Sequence, residues 1–335
     1  MLYIGMDVHK GQWSICVLKE SGEVQARRQL IGPWKQCIRQ VASIEGAKSV
    51  VFEASCGMGW LYDRLKEVCD RVVVADPGRL AATYAIKRKN DKIDAEKLAK
   101  LLLLGMVPEV YVASAQTRGW RALIEYRRVV LAARTAVKSR IRALLRGQGK
   151  QGAKGLWSKA GRKWMENLEF QTESDKWRLE MLLADLDRVE ENLHGVTRRL
   201  DKISLADERV KILMTAPGVG VRTAEAVVAY VEEAKRFSNT KCVGSYFGLV
   251  PRQSQSGETN HLGRVTRRGP SVVRWLLVEA AWQGIRKSGR LGRMYSKILK
   301  GQSSRNKIAA VAVAHFLARA LVAMLKSGQQ WREAA

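Results

Sequence analysis

The order of strand-like segments at the start of the chain constrains its fold more than any other feature. LYIGMDV, WSICVLK and EVQARRQL follow one another across turn-like breaks at Lys10–Gly11 and Ser21–Gly22. Short runs rich in β-branched and aromatic residues, bounded by such breaks, read as strands. A helical pattern then covers Trp34–Ile44. It is followed by the apolar strand SVVFEA (Ser49–Ala54), a helix near Gly59–Val68, the strand RVVVADP (Arg71–Pro77) and a helix through Asp91–Leu104. Three consecutive strands, then strands alternating with helices, predict a mixed α/β sheet.

That order suits an RNase H-like fold, and acids stand where such a sheet makes them expensive. Asp7 lies in the middle of the first strand between Met6 and Val8, and Glu53 ends the apolar run VVFE. A carboxylate in an apolar strand costs several kcal/mol unless it is paired or bound to a cation. Asp91 and Asp94 are three apart on a predicted helix and share one face. Taken alone, that pair is also an ordinary helix start, where acids suit the dipole. With Asp7 and Glu53 the set reads as one cation site. Crowded carboxylates repel, and hard divalent cations such as Mg²⁺ relieve the repulsion while keeping positions open for water and phosphate. His9 and Lys10 follow closely, but a histidine beside a turn is assigned no role.

The middle of the chain has a different texture. Leu123, Tyr126, Val130, Ala133, Val137, Ile141 and Leu144 recur at steps of three and four. So do Leu179, Leu182, Leu186, Val189, Leu193, Val196, Leu200 and Ile203. These are helical seams of coiled-coil type, separated by a glycine-rich joint at Gly147–Gly155, and they pair either within the chain or between subunits. From Asp207 onward come an apolar glycine turn, APGVG (Ala216–Gly220), helix-like segments, the loop Pro251–Gly269, and helices near Ser271–Ile285 and Lys307–Leu325. The expected division is 1–110, an α/β domain; 111–206, a helical coiled-coil region; and 207–335, a mainly α domain. Hydrophobic residues make up 46% of the chain, enough for buried cores in each.

Charge then narrows the function. Lys and Arg number 59 against 32 Asp and Glu, a formal net charge of +27. Residues 1–110 hold 17 basic and 13 acidic side chains, so +23 of the excess lies beyond them. An excess of this size points to a polyanionic partner, nucleic acid above all. Residues 118–150 carry 10 basic side chains and one acid, Glu125; residues 250–307 carry 13 against Glu258 and Glu279. The APGVG turn, followed by Arg222 and Thr223, looks like a helix–hairpin–helix turn whose glycines let backbone N–H groups meet phosphate. A plain glycine joint between helices is the alternative reading. A dinucleotide loop is excluded, because the third glycine and a preceding strand are missing. Ser256 sits in a Gln255–Ser256–Gly257 turn inside the basic loop, with no Ser–His–Asp order and no G-x-S-x-G elbow. The five cysteines are scattered without a C-x-x-C pair, which predicts neither zinc nor disulfides and fits a reducing cytoplasm. Neither a signal peptide nor a charge-free apolar span of membrane length is expected, so no membrane partner is either.

Six segments together resemble a known family. They are GMDVHK (Gly5–Lys10), FEAS (Phe52–Ser55), NDKIDAEKLA (Asn90–Ala99), PGVGVRTA (Pro217–Ala224), GLVPRQSQSG (Gly248–Gly257) and GRVTRRGPSVVRWLL (Gly263–Leu277). In order and over nearly the whole chain, they resemble the DEDD transposases of bacterial insertion sequences, the group numbered one hundred and ten, and the related Piv-type DNA invertases. The resemblance implies a RuvC-like N-terminal module with Asp7, Glu53, Asp91 and Asp94 as its metal acids, holding Mg²⁺ or Mn²⁺. It implies a C-terminal transposase domain in which Ser256 is the nucleophile, Ser254 being the neighbouring candidate without the matching glycine. It further implies donor and target DNA, an element-encoded bridge RNA, and a homo-oligomer, dimer or tetramer, combining one subunit's acids with another's serine. Gly218, Gly220, Arg252, Arg264, Arg267 and Arg268 are the nucleic-acid-contacting candidates, although GRVTRRG is richer in arginine than the family pattern. Two other readings stand beside this one: a RuvC-like junction nuclease whose acids activate water, and a non-catalytic nucleic-acid scaffold.

Overall fold

The computed structural model describes residues 1–55, 57–83, 91–150, 155–256 and 259–333, and at 82–83, 91–93, 256 and 260 the backbone alone. The chain divides into two compact units, Met1–Ala115 and Gln116–Ala335.

The first unit is built on a five-stranded sheet. Its strands are β1 (Leu2–Val8), β2 (Gln12–Leu18), β3 (Val24–Ile31), β4 (Lys48–Glu53) and β5 (Arg71–Ala75), in the spatial order β3-β2-β1-β4-β5. β1 and β3 flank β2 antiparallel, while β4 and β5 run parallel to β1. Period-two alternation decides which residues face which layer. Ile4 and Met6 of β1 join Val50 and Phe52 of β4 in one core, closed by α1 (Trp34–Ala42) and α2 (Met58–Leu65) through Cys37, Val41, Leu61 and Leu65. The opposite face is covered by α4 (Asp91–Leu103), which follows the short α3 (Pro77–Thr83). That contact is close because Gly5 has no side chain: a Cβ there would lie 2.0 Å from the Ala95 carbonyl oxygen and 2.4 Å from the Ala99 nitrogen. Farther along α4, Leu103 packs with Tyr3, Val24 and Leu18. The helix therefore runs against β1, its first turn toward the end of β1 that carries Asp7.

Among its described residues the second unit is helical apart from one ribbon. α5 (Ala115–Gly147) and α7 (Glu173–Ser204) pair antiparallel within the chain. Arg127 Nε donates to Thr197 Oγ1 at 3.2 Å, Lys138 pairs with Glu190 at 3.0 Å, and Gln148 Nε2 donates to Asp175 Oδ2 at 2.9 Å. Val137, Ile141 and Leu144 meet Leu179, Leu183 and Leu186, joined by Met165 of α6 (Lys159–Glu166). The seam departs from its sequence outline at three points. Tyr126 is 49% exposed, whereas Trp120 and Ile124 are buried; Leu183 is buried where Leu182 was expected. A helix with 3.6 residues per turn drifts off a strict three–four stripe, and α5 also packs against the C-terminal core. The connection between the long helices is wider than the glycine joint, since it contains α6; residues 151–154 of that joint lie outside the described residues.

The C-terminal core gathers α8 (Glu208–Met214), α9 (Val221–Val231), α10 (Lys241–Tyr246), α11 (Ser271–Lys287), α12 (Gly289–Leu299) and α13 (Asn306–Ser327). Small residues, Ala224, Ala226, Ala229, Ala280, Ala281, Ala314 and Ala318, let these helices approach closely. The stretch Ser303–Ser327 is long and apolar enough to cross a membrane by length and composition alone. Here its buried residues Val313, Leu317 and Leu321 pack in the core of this unit. The segment Pro251–Gly269, expected as a loop, instead contains an antiparallel ribbon, β6 (Pro251–Ser256) and β7 (Thr259–Val265). Every described side chain from Pro251 to Arg264 is exposed, so neither face carries the apolar alternation that marks a strand in sequence.

Candidate active site and nucleic-acid interface

Asp7 occupies the end of β1 rather than its middle. Met6 pairs with Phe52, so one further step along these parallel strands reaches Asp7 on one and Glu53 on the other. Residues in register on neighbouring strands share a face. Asp7 therefore shares its face with Gly5 and Glu53 with Val51, the face that α4 covers. The Asp91 position lies one helical turn ahead of Ala95, toward the Asp7 end. The topology thus brings the two strand-end acids and the start of α4 to one corner of the sheet.

Two of the side chains have close partners there. Asp7 is 23% exposed and its Oδ2 lies 3.3 Å from His9 Nε2, while Asp94 Oδ1 accepts from Lys97 Nζ at 2.8 Å. Glu53 is exposed at the strand end. Among the described residues no group of three or more His, Cys, Asp or Glu is close enough to hold a metal ion. The side chain of Asp91 lies outside the described residues. The donor chemistry fits a hard divalent cation, since the expected ligands are all carboxylates, and two of them already attract a lysine and a histidine. The i, i+3 spacing of Asp94 and Lys97 was readable in the sequence but was not singled out.

The serine belongs to the ribbon. Ser256 pairs with Thr259 in the β6–β7 register; its side chain, with Gly257 and Glu258, lies outside the described residues. Ser254 stands opposite His261, a pairing that only the hairpin register reveals. Arg252 and Arg264 are exposed on the two strands, and Arg267 and Arg268 are exposed just beyond them. Arg267 takes a left-handed backbone, φ 54°, and the adjacent Arg268 carbonyl accepts from Arg274 Nη1 at 3.4 Å. Burial and the charge of Arg267 hold the Arg274 guanidinium below its ordinary pKa.

The APGVG turn joins α8 to α9. Gly218 has φ 82°, and a Cβ on it would meet the Ala280 oxygen at 2.3 Å. Gly220 is the N-cap of α9, exposed, with open space around its Cα. The first amides of α9 lack intrahelical acceptors, as at any helix start. Arg222, in contrast, serves the interior: it pairs with Asp201 and, at 3.1 Å, with Glu225. Glu225 is 1% exposed; burial pushes its carboxyl pKa up, against the opposing pull of Ser204 and Arg222. The basic run on α5 is likewise partly internal. Arg121 Nε donates to the Ala229 carbonyl at 2.8 Å, and burial holds the Arg127 guanidinium below its ordinary pKa. Arg140 and Arg146 are exposed. A count of basic residues on α5 therefore overstates what is left to meet a polyanion.

Two family models match the chain in succession, the first reaching from the sheet through α5 and the second covering part of the C-terminal helices. A transposase family model of the IS110 DEDD type matches residues 4–148, and that of the transposase IS116/IS110/IS902 family matches residues 210–296. The chain is similar to the transposase for insertion sequence element IS1111A of Coxiella burnetii, 27% identical over 286 residues, 83% of this chain and 76% of that one. A probable family 20 transposase of Pseudomonas aeruginosa is 27% identical over 335 residues, 96% of each chain. The transposase for insertion sequence element IS1328 of Yersinia enterocolitica is 24% identical over 334 residues, 94% of each. Two transposase models matched in order along one chain, with likeness to transposases over almost its full length, give the assignment: the chain belongs to the IS110-type DEDD transposases.

Proposed function

We propose that this transposase cuts and rejoins DNA by attack of the Ser256 hydroxyl on a scissile phosphate held at the Asp7, Glu53, Asp91 and Asp94 corner. The observation that carries the reading is the convergence of Asp7 and Glu53 at matching ends of adjacent parallel strands, on the face whose covering helix begins at Asp91. The strand order β3-β2-β1-β4-β5, with only β2 reversed, supports a RuvC-like, RNase H-like reading of the first unit. The functional division is 1–110 for that catalytic domain, 111–206 for the coiled-coil region and 207–335 for the transposase domain. The α8–turn–α9 element supports a helix–hairpin–helix-like contact with phosphate through Gly218 and Gly220. The exposed Arg252, Arg264, Arg267 and Arg268 support a strand track beside the serine.

A bound Mg²⁺ or Mn²⁺ supplies Lewis-acid polarisation of the phosphate. Asp7, Glu53, Asp91 and Asp94 would hold that ion and, through it, the scissile group, and the ribbon presents the hydroxyl. Attack forms an Oγ–P bond and breaks the P–O3′ bond, and the serine proton passes to the departing 3′ oxygen. The phosphoserine stores the bond energy, so a second strand's 3′ hydroxyl reverses the step without ATP. The enzyme acts in the cytoplasm as a homo-oligomer, one subunit's acids serving another's serine, with a bridge RNA choosing donor and target DNA.

The test incubates the full-length protein and its copurifying RNA with labelled element-end DNA, then separates the products under denaturing conditions. A covalent protein–DNA adduct is expected, absent in Ser256→Ala and reduced at least about 100-fold in Asp7→Asn and Glu53→Gln. Strand cleavage that persists without an adduct would instead mean that the acids activate water.

A further inference from the structure

We infer that a hollow between α13, the start of α12 and the chain beyond α13 binds one unpaired nucleotide, its phosphate on arginine and its base against an aromatic wall. The hollow measures about 340 Å³. Its floor is one face of α13, where Ala320 and Ala323 are small enough to leave the space open. Three guanidinium groups, Arg290, Arg319 and Arg332, line it with no carboxylate among the described lining residues. Arg319 Nε is buried and has no hydrogen-bond partner among the described residues. A buried donor of that kind is costly to leave unpaired, and an anionic oxygen supplies its acceptor.

The aromatic wall is equally well defined. Phe316 and Trp331 meet edge to face, 6.5 Å between centroids, and the Arg290 guanidinium lies 4.9 Å from the Phe316 centroid. Trp331 is fixed from both sides. Its backbone N–H donates to Thr215 Oγ1 at 2.9 Å, and its indole Nε1 donates to Glu333 at 3.2 Å. Glu333 in turn accepts from Ser288 Oγ at 2.5 Å and from the Arg290 backbone N–H at 3.3 Å. The wall is therefore preformed, which lowers the ordering cost of a ligand.

Planar faces match a nucleobase, and guanidinium forks match a phosphate. A cavity near the small end of the usual ligand range admits one nucleotide. A base inside a duplex is stacked on both sides and cannot enter. The site uses neither the acid corner nor Ser256, so it stands or falls independently of the strand-transfer chemistry.

The experiment titrates the full-length protein into a 5′-phosphorylated single-stranded trinucleotide carrying 2-aminopurine at its 5′ end, and follows fluorescence. Stacking on Trp331 quenches the probe. The dissociation constant is expected to rise at least about tenfold in Trp331→Ala and in Arg290→Ala, and to stay near native in Trp331→Phe. Arg332→Ala, on an exposed residue, gives a variant whose fold is not in question and which also weakens binding. Asp7→Ala leaves the quench unchanged. A blunt duplex of the same sequence fails to compete, and inorganic phosphate competes only at far higher concentration. Equal competition by phosphate, or native affinity in correctly melting Arg290→Ala and Arg332→Ala proteins, overturns the inference.

Discussion

Gly218 and Gly220 are two residues apart in one turn, yet the structure gives them opposite tolerance. Gly218 combines a left-handed backbone with backbone atoms of Ala280 and Gly284 where a Cβ would go. Strain and overpacking together make Gly218→Ala destabilising by about 2–5 kcal/mol. Gly220 has an ordinary φ of −91° and open space. There Gly220→Ala costs no more than about 1 kcal/mol, and Gly220→Ser is neutral or stabilising because it adds an N-cap oxygen. Urea denaturation of the three variants checks both outcomes; equal losses at the two positions would contradict the packing argument. The sequence makes the turn legible but not the difference, because the clash comes from α11, some sixty residues downstream. The same holds at Ser254, whose partner His261 follows only from the ribbon register. Asp7 and Glu53 stood out in the sequence for the opposite reason: a carboxylate set in an apolar strand run is conspicuous without any knowledge of the fold.

At the scale of elements, strands with a buried face declared themselves and the ribbon did not. β1, β2, β4 and β5 are apolar runs between turn residues, whereas PRQSQS and TNHLGRV are polar on both faces. Lys48 was equally hidden. It is buried at the start of β4 because its ammonium donates to the Val41, Ala42 and Ile44 carbonyls at the end of α1. Helix starts are more predictable. Asp207 caps α8 through the Arg209 backbone N–H at 2.9 Å and also pairs with the Arg209 guanidinium at 2.7 Å. Burial would raise the Asp207 pKa, but the bonds to Arg209 prevail and hold it below the ordinary carboxylate value. A depressed carboxyl stabilises the fold above its unfolded value, and the contribution is lost as pH falls through the folded one. Asp207→Ala should therefore cost about 1–2 kcal/mol at pH 7, with the gap to the native protein narrowing below about pH 4. Thermal melts across pH 3–7 measure this; a gap that widens toward acid refutes the assignment. Gly5→Ala tests the sheet–helix contact in the same way. It should push α4 off β1 and cost about 3 kcal/mol or more.

For the whole molecule, the net charge of +27 was the clearest functional signal in the sequence, but its distribution in space was not legible. Arg121, Arg127 and Arg222 hold helices together, so fewer cations reach the surface than the count suggests. Enough remain for binding to DNA to be dominated by counterion release. A plot of log Kobs against log salt should fall with a slope of about −5 or steeper. A slope near zero would show that the surplus charge serves something other than phosphate.

The β6–β7 ribbon has a consequence for how this enzyme meets its substrate. With every described side chain from Pro251 to Arg264 exposed, the two strands rest mainly on their own ladder, and a hairpin held in that way is marginal in water. Its amides should therefore exchange with deuterium nearly as fast as those of a coil, then slow sharply once a polynucleotide lies across them. If Ser256 acts as proposed, its arm would be assembled by the strand it attacks, leaving the resting protein poorly armed against any strand it has not captured.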